Sequence, residues 1–126
     1  MRILVLALLS FAFFQAQSAE FTKESAKAEF DAMLALLGDP AKSKAFIERY
    51  AEPKDLAMIT GDHDGLDAIA KSFNDDGKRD DLMKTLKAMK DVEPVVNEEK
   101  HEMVFKTDTR DTTIVLIDGT WYLRNN

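Results

Sequence analysis

Cysteine is absent from the 126 residues, and proline (3), histidine (2) and tryptophan (1) are scarce. Without cysteine there is no disulfide scaffold, thiol nucleophile, Cys-ligated zinc or iron–sulfur cluster. A basic surplus is missing as well: 17 Lys and Arg stand against 23 Asp and Glu, for a net charge of −6. A chain with no cationic excess has few counterions to displace from a phosphate backbone. That argues against nucleic acid or anionic lipid as its main partner. The sequence also holds no Gly-rich phosphate loop and no serine in a nucleophile elbow. What it does hold is a 45% share of hydrophobic residues, too high for disorder. The length suits one core and leaves no room for a second.

The apolar residues are unevenly spread. Arg2 is followed by an almost unbroken apolar run from Ile3 to Phe14, then by small and polar residues up to Ala19 and the first acid, Glu20. A cationic start, a short apolar segment and small residues at its end make the order of a secretory signal. The run is too short to span a bilayer, which takes about 20 residues. The expectation is therefore a signal peptide over 1–19, cut after Ser18 or Ala19, with no membrane anchor left behind. Export places the mature protein in the periplasm or outside the cell. Loss of Arg2 lowers the cations from 17 to 16 against 23 acids, leaving 107 residues at −7 with five of the eight phenylalanines. Such a domain, 20–126, must hold together by packing alone.

Its first half reads as helices. Thr22 caps a helix over 23–37 whose face is Ala26, Phe30, Met33, Leu34 and Leu37, stopped by Gly38-Asp39-Pro40. Asp39 then caps a second helix with Pro40 at its first position, and Ala41, Ala45, Phe46 and Tyr50 face inward. Pro53 opens a short turn carrying Leu56, Met58 and Ile59. Two further helices carry Leu66, Ile69, Ala70 and Phe73, and Leu82, Leu86 and Met89. Past Pro94 the apolar period falls from about 3.6 to 2. Val95-Val96, then 101–107, 112–117 and 121–123 read as strands, with Asp118-Gly119 as a tight hairpin turn. The predicted fold class is α+β: about four N-terminal helices packed on a C-terminal antiparallel meander of three to four strands.

Helices followed by a meander closing in "IDGTWYLRNN" resemble the NTF2-like superfamily of cystatin-like α+β cones. Small secreted members close with a strand similar to Asp118-Gly119-Thr120-Trp121-Tyr122-Leu123, and "LMKTLKAMKDVEPVVNEEKHEMVF" is similar to their helix-to-strand passage. The resemblance implies a ligand-holding or accessory role. Catalytic members place His/Asp pairs inside the cone, and no such residue carries over.

Candidate chemistry is sparse. Asp62, His63, Asp64 and Asp67 form the densest group of potential ligands. An EF-hand needs oxygen donors at its first, third and fifth positions and Gly at its sixth. Counted from Asp62, the fifth is Leu66 and the sixth Asp67, so the pattern fails. Asp62, Asp64 and Asp67 therefore stand as weak metal candidates against a plain loop in which Asp64 caps the next helix. Asp75, Asp76, Asp80 and Asp81 read as turn and helix-start charges. His101 stands at a strand start on the side of Met103 and Phe105. Phe30, Met103, Phe105 and Trp121 are the candidate lining of a ligand cavity, or else simply core. No catalytic residue, cofactor or metal is expected.

The functional expectation is an exported, non-enzymatic binding or accessory module for a small apolar ligand or an envelope protein. A second reading is an inhibitor- or immunity-type protein whose acidic loops meet a basic surface. An enzyme built on His63 or His101 is the third. The intact mass of the exported protein is expected to lack 18 or 19 residues; full-length chain in the membrane fraction would exclude the signal.

Overall fold

A computed structural model describes residues 18–61 and 65–124. The expected signal segment falls on residues outside that range, apart from its last two, Ser18 and Ala19. In chain order the helices are α1 (Lys23–Leu37), a 3₁₀ turn (Pro40–Lys42), α2 (Ser43–Tyr50), α3 (Pro53–Thr60), α4 (Gly65–Asp75) and α5 (Lys78–Met89). Strands β1 (Val95–Asn97), β2 (Glu102–Lys106), β3 (Asp111–Ile117) and β4 (Thr120–Leu123) follow, all antiparallel and adjacent in chain order. The fold is α+β, as expected. Among the described residues there are five α-helices rather than about four, because Pro53 starts a full helix and not a single turn. Among the described residues no helix is long and apolar enough to cross a membrane.

Local chemistry sets the helix ends. The Thr22 hydroxyl accepts from Ser25 N at 3.1 Å, and the Asp39 carboxylate from Ala41 N at 3.0 Å. Each satisfies a donor that the first turn leaves orphaned. At the far end of α1, Arg79 donates to Leu37 O, so a cation from α5 covers the negative end of the α1 dipole. Asn74 lies in the last turn of α4. Its side chain accepts from the Ser43 hydroxyl and donates to Pro40 O, locking α4 to the start of α2.

The sheet turns one face to the helices. Register pairs Phe105 with Thr112, Met103 with Ile114 and Leu116 with Trp121, so these six side chains share that face. Phe30 of α1 meets Phe105 edge-on, ring centres 5.1 Å apart. Ala26, Met33 and Leu37 bury beside it, with Leu86 and Met89 of α5 completing the layer. At the β3–β4 hairpin Asp118 and Gly119 have φ of 51° and 79°, the two positive values a type I′ turn requires. The segment before α1 lies against this turn. Ala19 N donates to Gly119 O at 2.8 Å, and any Cβ at Gly119 would stand 2.8 Å from Ser18.

His101 departs from the expected alternation. Its φ is 53°, so it ends the β1–β2 turn in the left-handed region instead of starting β2. The ring rests on Phe21 at 5.1 Å, and Phe21 in turn stacks on Trp121 at 5.8 Å.

Trp121 ties the layers together. It is fully buried, its indole N–H donates to Ser25 Oγ at 2.9 Å, and its carbonyl accepts from Arg49 at 3.0 Å. Ser25→Ala leaves that buried N–H without an acceptor and is expected to cost about 1–3 kcal/mol. The change is read as a lower urea midpoint at unchanged slope. Glu93→Gln, at the exposed Lys23 ion pair, should leave the midpoint in place.

A candidate ligand cleft

Between α2, α3, α4 and the open ends of β3 and β4 lies a cleft of about 680 Å³. Its origin is in α3. The helix carries Leu56, Met58 and Ile59, yet none of its residues is fully buried: Ile59 packs against the core and Met58 is exposed. It therefore covers the apolar sides of α2 and α4 only in part. Phe46 and Phe73 stack at 6.0 Å to form one wall, with Ile47, Ile69, Leu82 and Leu123 around them. Met58 (77% exposed) and Ile69 (41%) mark where it opens to water.

Polar groups border this apolar surface at defined places. Tyr50 is buried, and its hydroxyl donates to Glu29 Oε2 at 2.6 Å. Arg49 sits over the Tyr50 ring at 4.4 Å and reaches Glu29 Oε1 at 3.5 Å. Burial first, and the Glu29 hydrogen bond second, hold the Tyr50 phenol well above its ordinary pKa. At another edge Arg124 bridges two carboxylates, Glu52 at 3.0 Å and Glu102 at 2.7 Å. Glu52 is itself buried, so Arg124 is the charge that makes its burial tolerable. These hydrogen bonds, Glu52's first, raise the guanidinium pKa further. Lys78, Asp81, Arg110 and Thr112 form the remaining border, with Asp55 on α3.

The residues singled out in the sequence go elsewhere. Phe30, Met103, Phe105 and Trp121 are fully or almost fully buried in the core, and none of them lines the cleft. Asp62 and Asp64, and with them the expected cap of α4, lie outside the described residues, as does His63. Asp67 stands in the first turn of α4 and pairs with Lys44 at 2.9 Å, which raises the pKa of that exposed lysine. Asp75 pairs with Lys71, Asp76 accepts from Ser72 at 2.7 Å, and Asp80 lies 3.3 Å from Arg79. Among the described residues no three His, Asp or Glu side chains gather where they could hold a metal. His101 is outside the cleft.

Sequence reasoning named Phe46, Tyr50, Ile69, Phe73 and Leu82 only as inward faces, and passed over Arg110, Thr112 and Arg124 as site residues. A usable signal was present at Thr112. It is a polar side chain at the inward end of a strand whose next inward positions are Ile114 and Leu116.

In comparisons with protein-family models, curated proteins and solved structures, none matches this chain.

Tyr50 gives the cleft a pH dependence of known sign. Its phenol is harder to ionise folded than unfolded, so the stability it contributes is complete below about pH 10 and declines as pH rises beyond it. Tyr50→Phe is therefore expected to lose less stability than wild type between neutral and strongly alkaline pH, measured by urea unfolding at each pH.

Proposed function

We propose that the protein is a small exported binding module, non-enzymatic and of the NTF2-like kind, that holds a largely apolar molecule in the cleft beside α3. The cleft carries this reading. Its size falls within the range of about 300–1,000 Å³ usual for small-molecule sites. Its walls are apolar and aromatic, and a few polar groups stand at fixed places along the border. Such a surface left in water is costly, and a ligand that covers it recovers the hydrophobic contribution.

The position of the cleft fits the proposal better than the core does. Packing around Phe30, Phe105 and Trp121 is filled by side chains from α1, α5 and the sheet. The surface left for a guest lies where α3 gives only partial cover. Movement of that one helix admits a ligand without disturbing the layer beneath, since α3 contributes no fully buried residue. The acidic-surface alternative draws less support, because Asp67, Asp75, Asp76 and Asp80 are already engaged within the chain.

The neutral dye N-phenylnaphthylamine serves as a probe. Its fluorescence is expected to rise on adding the folded mature protein, and the rise should be lost in Ile69→Arg, which puts a charge on the wall at a half-exposed position. Near-ultraviolet circular dichroism of the variant checks that the fold persists. Absence of enhancement with wild type, or equal enhancement with the variant, would overturn the assignment of the cleft.

A further inference from the structure

One buried side-chain oxygen of the cleft-lining residues has no hydrogen bond among the described residues. Thr112 is only 4% exposed, and its hydroxyl is buried with no hydrogen-bond partner among the described residues. Buried hydroxyls are nearly always satisfied, because leaving one unpaired forfeits its hydrogen bonds to water without replacement. The position is not forced by chain geometry. Thr112 faces Phe105 across the sheet, and an apolar residue there would extend the stripe of Ile114 and Leu116.

Arg110 lies two residues earlier, where the chain enters β3, and lines the same cleft. On extended backbone, residues at that spacing point to one side. The Arg110 guanidinium makes no ion pair among the described residues, while Arg124, a second arginine of the wall, is held by Glu52 and Glu102. A free fork of N–H donors and an unsatisfied hydroxyl thus share one end of an apolar cleft. Guanidinium and hydroxyl together suit a carboxylate, whose two oxygens accept from both.

We propose that Arg110 and Thr112 form a head-group site, and that the molecule held in the cleft is an apolar compound ending in a single carboxylate. This rests on the cleft reading above and adds the ligand class to it. In the complex, Arg110 donates to one or both carboxylate oxygens and the Thr112 hydroxyl donates to one of them. Asp81 borders the cleft and, together with Arg110, a smaller adjoining cavity, with Lys78 on the border of the first and Lys84 on that of the second.

Dodecanoate and dodecanol, titrated below their aggregation concentrations by calorimetry, separate the two levels of the argument. Wild type is expected to bind dodecanoate at least about tenfold more tightly than the alcohol, since a charge-assisted pair outweighs a neutral one by that order. In Arg110→Gln the preference should shrink to about twofold or less, because the remaining hydrogen bonds are neutral. Thr112→Val should also narrow the preference and, by removing an unsatisfied hydroxyl, should raise the melting temperature of the empty protein. Equal binding of the two compounds by wild type would overturn the head-group site and leave the apolar cleft standing. Binding of neither would overturn both, and a lower melting temperature for Thr112→Val would show that the hydroxyl has a partner in the empty state.

Discussion

The indole of Trp121 is the contact on which the two halves of this molecule depend. From the last strand it reaches α1 through Ser25 and α2 through the Arg49–carbonyl hydrogen bond, and Phe21 stacks on it at 5.8 Å. A large aromatic contributes more burial than any other side chain in so small a core, and its N–H must be satisfied to be buried at all. Fixing that one ring therefore fixes the distance and angle between sheet and helices. The Arg49 guanidinium has a similar double role, joining β4 to α2 while stacking over Tyr50 and reaching Glu29.

What remains after that constraint is met explains the cleft. Four short strands pack on α1 and α5, and β4 also meets α2, where Arg49 donates to Trp121 O, while α3 contributes no fully buried residue. The chain closes this side partly by charge: Arg124 draws Glu52 at the α2–α3 junction towards Glu102 on β2, and the parallel bridge between Ala51 and Leu123 runs alongside. Between that clamp and the Phe46–Phe73 pair the described residues leave the apolar surface uncovered, and this opening is the cleft.

Much of the architecture was legible in the sequence because it is set locally. Thr22 and Asp118-Gly119 act through hydrogen bonds and dihedral preferences spanning a few residues, so the start of α1 and the hairpin could be placed from the letters alone; Asp39, expected to cap the second helix, caps only the 3₁₀ turn ahead of α2. The change of period after Pro94 likewise located the sheet. Reading failed where distant partners decide. Pro53 starts a whole helix, and His101 leaves the strand pattern at a left-handed turn position. The cleft was hidden for the same reason. Phe46 and Phe73 look like any buried helix face until the tertiary arrangement shows that α3 covers them only in part. Phe30, Met103, Phe105 and Trp121, the most conspicuous apolar residues, are conspicuous because they pack together.

The sequence separation of the stabilising contacts has a consequence for how the molecule comes into being. Ser25 and Trp121 are 96 positions apart, Arg49 and Trp121 are 72, and Arg124 and Glu52 again 72. A ribosome delivers the five helices first, and these can pack on one another, Phe46 against Phe73 and α1 against α2. The contacts that fix helices to sheet, Trp121 with Ser25 and Phe30 with Phe105, wait for strands made later. The last strand to be made is thus the one that locks the earliest helix in place.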